Sequence, residues 1–140
     1  NPKAATTPVS VADIDQEGVT VAVMSGTSQD KAVSAALTKA TILRLPTADE
    51  TRLALLSKRA DFLADASDTN QLFLQGNPDK VKTFAPAPAL ASQGVAFGLP
   101  AGLSAQDVSV VDIFLEERVA TGHVQDLIRQ SVDQVLAAGQ

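Results

Sequence analysis

The residues best placed to do chemistry form one short polar run, Ser25-Gly26-Thr27-Ser28-Gln29. It follows a β-branched apolar stretch, Val19–Met24, and leads into a segment with helical spacing at Ala32, Val33, Ala36 and Leu37. A helix start offers unpaired N–H groups and partial positive charge. Gly26 lets the backbone come close to an anion, and the hydroxyls of Ser25, Thr27 and Ser28 add hydrogen bonds. The matching client is a carboxylate or a phosphate. The run is neither a P-loop nor a dinucleotide fingerprint, since the GxxxxGK[ST] and GxGxxG spacings are both missing. The same residues also read as an ordinary capped helix after a strand.

A second group is Asp65, with Asp68 and Asn70 behind it. All three fall at the carboxyl end of a strand expected at Ala60–Ala64. In an open α/β sheet, ligands bind beyond the carboxyl ends of the strands. Asp65 would then face the crevice that Gly26 and Thr27 face. There it could hold a substrate ammonium group by a charge-assisted hydrogen bond. The plainer reading has Asp68 capping a helix, Asp65 solvated, and Asp61 supporting the strand end. His123 is the single histidine and reads as a surface residue at a helix start. No nucleophile–base–orienter set is visible, so no catalytic residue is assigned.

The elements that must position these groups alternate. Strands are expected at Val19–Met24, Thr41–Leu45 and Ala60–Ala64, with further short ones at Val81–Phe84 and Gly94–Leu99. Thr27 or Ser28 caps the first intervening helix. Thr47-Ala48-Asp49-Glu50 has the form of a capping box for the second, and Asp68 or Thr69 opens a third through Leu74. Ser104 with Asp107 starts a helix carrying Val111, Phe114 and Leu115. After Gly122 another presents Val124, Leu127, Ile128, Val132 and Val135 on one face. Strands alternating with helices imply an α/β fold with a largely parallel sheet, followed by C-terminal helices. Residues 1–100 are expected to form one domain and 101–140 its helical extension.

Composition narrows the partners. The 140 residues carry 11 Lys and Arg against 16 Asp and Glu, a net charge of −5. Nucleic-acid affinity comes largely from basic groups on phosphates, so nucleic acid is an unsuitable partner. Trp and Tyr are absent, which also weakens any stacking surface. The absence of cysteine excludes thiolate metal sites and disulfides, and neither a metal nor another cofactor is expected. No apolar run approaches the roughly 18 residues of a membrane span. The chain starts at Asn1 without a signal peptide and reads as a mature or trimmed product.

Four segments, in order, resemble the family 3 bacterial periplasmic solute-binding proteins of amino-acid ABC importers. DIDQEGVTVAVMSGTSQDKAV is similar to the family's DLxGKxVAVxxGTTxE opening of the second lobe, with Val19 standing where the family has Lys after Gly. KRADFLADASDTNQLFL resembles the GRVDAFxxD strand whose acid meets the ligand amino group. GVAFGLPAGLSAQ resembles the strand that returns to the first lobe, and FLEERVATGHVQDLIRQS the C-terminal helices. The likeness spans roughly residues 11–135.

The resemblance implies one lobe of a type II periplasmic binding fold, a doubly wound, mostly parallel sheet with the strands at 41–45, 19–24 and 60–64 adjacent in that order. It also implies export to the periplasm or the extracellular space, with no enzymatic activity. The ligand would be an amino acid or similar small polar solute, and the wider partners the membrane subunits of an importer. Carried over, Gly26 and Thr27 would meet the ligand's anionic group, with Ser25, Ser28 and Gln29 lining the site. Asp65 would take the amino group. Its spacing from Asp61 is one residue shorter than the commonest family pattern, which leaves Asp68 as the fallback. Nothing in the chain matches the first lobe. Weak or no amino-acid binding by this chain alone is therefore expected, as is self-association through surface left uncovered. Two other readings keep the fold: a receptor's sensor domain, or a dehydratase with Asp65 or Asp68 as general acid. A one-lobe interaction module without a small ligand is the remaining alternative.

Overall fold

The computed structural model describes residues 8, 10–92, 94 and 96–138. The chain separates into two compact units, Asn1–Gln93 and Gly94–Gln140. The division falls seven residues before the expected one.

The first unit holds α1 (Val11–Ile14), β1 (Thr20–Met24), α2 (Ser28–Ala36), β2 (Thr41–Leu45), α3 (Ala48–Leu56), β3 (Phe62–Ala64) and α4 (Ser67–Gly76). It is a mixed α/β arrangement around a three-stranded sheet in the order β2-β1-β3. Both pairings are parallel, with Val21 opposite Ile42 and Phe62, and Val23 opposite Arg44 and Ala64. β1 is central and buried on both faces, which is why it reads as an uninterrupted apolar run. Val21 and Val23 point to one side and pack with Val33 and Leu37 of α2 and Ile14 of α1. Ala22 points to the other side and packs with Ala54 of α3 and Ala60. The alternation along a strand therefore sends α2 and α3 to opposite faces. The small side chains of Ala22 and Ala54 let α3 approach closely, and both are fully buried.

Caps set where the helices begin. Thr27 Oγ1 accepts the Asp30 amide at 3.2 Å, and Thr47 Oγ1 accepts the Glu50 amide at 3.2 Å. Each satisfies one of the N–H groups a helix start leaves unpaired. Asp15 ties α1 to the turn before β2. Its carboxylate accepts the amides of Thr38, Lys39 and Ala40 at 2.9, 2.7 and 3.0 Å. These bonds, the Ala40 amide foremost, hold the Asp15 carboxyl down to about 2.

Three expectations need correction. The segment Val81–Phe84 forms no strand. Its apolar residues act as cover instead: Val81 is buried, and the Phe84 ring meets Phe62 edge-on at 6.1 Å. Pro86 and Pro88 follow directly and have no N–H to give a ladder. Gly94–Leu99 is likewise irregular at its described residues, and Val95 lies outside them. A strand exists only where it has a partner, and the second unit supplies none among its described residues. The third helix begins at Ser67 with Ala66 as its N-cap, ahead of Asp68 and Thr69.

The second unit is a pair of 16-residue helices, α5 (Ala105–Ala120) and α6 (His123–Ala138). Ser104 caps α5: its hydroxyl accepts the Asp107 amide at 3.2 Å, while Asp107 accepts the Ser104 amide at 3.2 Å. Gly122 turns the chain between the helices at φ 77°, a conformation that favours glycine. Val110, Ile113 and Phe114 of α5 and Leu127, Ile128 and Val135 of α6 are exposed. The Arg118 guanidinium lies over the Phe114 ring, 4.9 Å from its centroid.

Candidate functional site

Three parallel strands, each followed by a helix, bring three helix starts to one end of the sheet. There the first unit has a concavity of about 260 Å³. Met24 and Ala64, the last residues of β1 and β3, form part of its wall, and Asp65 continues from β3. Thr27 and Gln29 come from the start of α2 and Thr69 from α4. Ala48, Thr51 and Arg52 come from α3, where the i, i+3, i+4 spacing puts them on one face.

Thr27, Gln29 and Asp65 thus share a single concavity. Ser25, Gly26, Ser28 and Asp68 do not line it. The Ser25 amide donates to the Leu45 carbonyl at 2.9 Å, which extends the β1–β2 ladder by a residue. Asp68 is exposed on the first turn of α4, its carboxylate accepting the neighbouring Thr69 amide at 2.9 Å.

Local bonding narrows what the start of α2 can offer. Gly26 sits at φ 76°, and its amide donates to Asp30 Oδ2 at 3.0 Å. The Thr27 hydroxyl donates to the Met24 carbonyl at 2.7 Å. The two residues expected to meet an anion therefore have these donors already engaged. The Asp30 carboxyl is held below its usual range, first by the Gly26 amide and then by Arg44, which pairs with it at 2.9 Å. An internal carboxylate thus occupies the place foreseen for a ligand's. The amides of Ser28 and Gln29, the first two of α2, have no acceptor among the described residues.

Asp65 has a different setting. It is half-buried, and Oδ1 accepts the adjacent Ala66 amide at 2.8 Å. Asn70, on α4, donates to the Asp65 carbonyl at 3.3 Å and braces the turn. Among the described residues no Lys, Arg or His pairs with the Asp65 carboxylate. A half-buried carboxylate without a cationic partner, at the rim of a concavity, is suited to receiving a cation or a hydrogen-bond donor.

Arg52, Thr51 and Thr69 were not foreseen as site residues. Their signal is topological. A capped helix following a strand presents its first turns to the same crevice as its neighbours do. Positions one, four and five after the Thr47 cap are Ala48, Thr51 and Arg52. Thr51 is itself buried and donates to the Ala48 carbonyl at 2.6 Å, so it shapes the wall more than it offers a donor. His123 is exposed at the first position of α6. No group of three or more His, Cys, Asp or Glu suited to a metal ion occurs among the described residues. None of their helices is long and apolar enough to cross a membrane.

No protein-family model matches the chain, and no curated protein is significantly similar to it in sequence.

Proposed function

We propose that the first unit is a ligand-binding lobe of the family 3 periplasmic solute-binding type, serving an importer of amino acids or similar small polar solutes. One observation carries this reading: the Asp65 carboxylate and the opening residues of α2 border the same concavity at the carboxyl ends of parallel strands. In this reading Asp65 holds the ligand's ammonium group, and the Thr27 and Gln29 amides receive its anionic end. The placement of α2 and α3 on opposite faces supports reading the sheet as the core of a doubly wound lobe. The protein is exported, its function is binding rather than catalysis, and its wider partners are the importer's membrane subunits.

An open concavity gives incomplete enclosure, so the expected affinity is weak, with a dissociation constant on the order of millimolar. Amide-resolved NMR titration of the ¹⁵N-labelled chain with a panel of amino acids tests the reading. Shifts confined to Thr27–Gln29, Thr51–Arg52 and Asp65–Thr69 are expected, and Asp65→Asn should abolish them. A panel that leaves those amides unmoved refutes the assignment.

The exposed apolar stripes of α5 and α6 favour an additional role in association. Sedimentation velocity across a concentration series should show self-association. A monomer throughout would remove that role.

A further inference from the structure

The concavity carries a carboxylate and a guanidinium that are not paired with each other. Arg52 Nη1 binds Asp49 Oδ1 at 3.1 Å, while Asp65 has no basic partner among the described residues. The Asp49 side chain is 93 % exposed, so water competes strongly for that ion pair. The Arg52 guanidinium also lies 6.0 Å from the centroid of the Phe73 ring, at the outer reach of a cation–π contact. Its Nε and Nη2 form no hydrogen bond among the described residues. An arginine held at one corner, with the remaining nitrogens of its fork uncommitted, is suited to a carboxylate.

The donor inventory at the opposite wall sharpens this. The Gly26 amide and the Thr27 hydroxyl are engaged internally, which leaves the backbone amides of Thr27 and Gln29, without an acceptor among the described residues, for one anionic group. Arg52, on α3, offers a separate anion position. Asp65 supplies the single cation position. The wall is therefore matched to one ammonium and two carboxylates, in a space smaller than the usual drug-sized pocket.

We infer that Arg52 is a specificity-determining residue, and that the solute is a small amino acid with an acidic side chain whose carboxylate meets Arg52. This rests on reading the concavity as a solute site, and it names the class of solute. A neutral amide side chain of the same shape would forgo the charge-assisted bond. In a partly exposed site that difference corresponds to about a five-fold preference for the acid.

The experiment is the NMR titration of the full chain with L-glutamate and L-aspartate against L-glutamine and L-asparagine, in wild type, Arg52→Gln and Asp49→Asn. Acid-to-amide preference of about five-fold is expected in wild type, falling toward unity in Arg52→Gln. Asp49→Asn, which removes the competing carboxylate, should raise the preference, a response that a merely structural arginine would not produce. Added salt should lower it. Equal binding of acids and amides by wild type, or a preference that persists in Arg52→Gln, overturns the inference and leaves the solute-lobe reading standing. Failure of all four compounds to move the concavity's amides overturns the inference, and failure of the whole amino-acid panel overturns the solute-lobe reading as well.

Discussion

Asp61 and Thr20 hold each other through two hydrogen bonds. The Asp61 amide donates to the Thr20 carbonyl at 2.8 Å, and the Thr20 amide donates to Asp61 Oδ2 at 2.9 Å. The pair clamps the start of β1 to the residue preceding β3. Register runs on from there, with Val21 opposite Phe62 and Val23 opposite Ala64. It places Asp65 one residue beyond the end of β3, beside Met24. A single side chain at the amino end of the sheet thus helps position an acid at the carboxyl end.

Replacing Asp61 by Ala leaves the Thr20 amide without its carboxylate acceptor. A loss of about 1–2 kcal/mol is expected, since a hydrogen bond to a charged group in a part-buried setting is removed. Urea unfolding followed by far-UV circular dichroism measures it. An unchanged midpoint would show that the clamp contributes nothing.

Asp15 makes stability fall in acid. Its carboxyl titrates at about 2 in the folded chain against 3.8 for the free group. The unfolded chain therefore takes up the proton first as pH falls, and the stabilisation present above about pH 4 is lost toward pH 2. Asp30, also held below its usual range, acts in the same direction. Asp15→Asn should be less stable than wild type at pH 7 and should lose less on going from pH 4 to pH 2. Thermal melts at those three pH values decide this, and parallel pH profiles for the two proteins would contradict it.

Gly26→Ala tests the turn into α2. Nothing lies within 4 Å of a Cβ added there, so the expected cost is conformational and not steric. Holding alanine at φ 76° costs about 1–2 kcal/mol. Gly26→Asn should cost less, because asparagine tolerates that region better. Equal stability of the Ala and Asn variants would sink the conformational account.

Ser104→Ala removes the half of the α5 capping box that depends on its hydroxyl and leaves the bond from its backbone amide to Asp107. About 1 kcal/mol of helix stability should go with it. Helical ellipticity of the chain should decline and melt earlier in Ser104→Ala, while Ser104→Asp should retain it. A variant indistinguishable from wild type would mean that α5 is set by other contacts.

Much of the local architecture is legible in the order of residues. Val19–Met24 between Gly18 and Gly26 reads as a buried strand because β-branched residues bounded by glycine suit a central position. Thr27 or Ser28, Thr47 and Ser104 read as caps, and of these Thr27, Thr47 and Ser104 accept the amide three residues on. Val81–Phe84 misleads because an apolar run is compatible with a strand and with a cover segment alike. What distinguishes them is whether a ladder partner lies alongside, which is a long-range fact.

The candidate site was legible at Thr27, Gln29 and Asp65 through the rule that crevices form at strand ends. Arg52 was not, because a basic residue on an amphipathic helix gives the same local pattern whether it faces solvent or a crevice. Gly26 is instructive in the other direction. Its type and position suit an anion site, yet Asp30, four residues on, occupies its amide. Composition and spacing count donors but do not say which ones are already engaged.

The sequence alone determined the three strands of the sheet, the helices that follow β1 and β2, and the Thr27 and Thr47 caps, since these follow from periodicity, side-chain branching and hydrogen bonds within a few residues. Tertiary structure decided that Arg52 and Asp65 border one concavity, that Gly26 bonds inward to Asp30, and that Phe84 covers Phe62. Those outcomes depend on competition among groups distant in the chain, and only the folded packing settles which partner each group keeps.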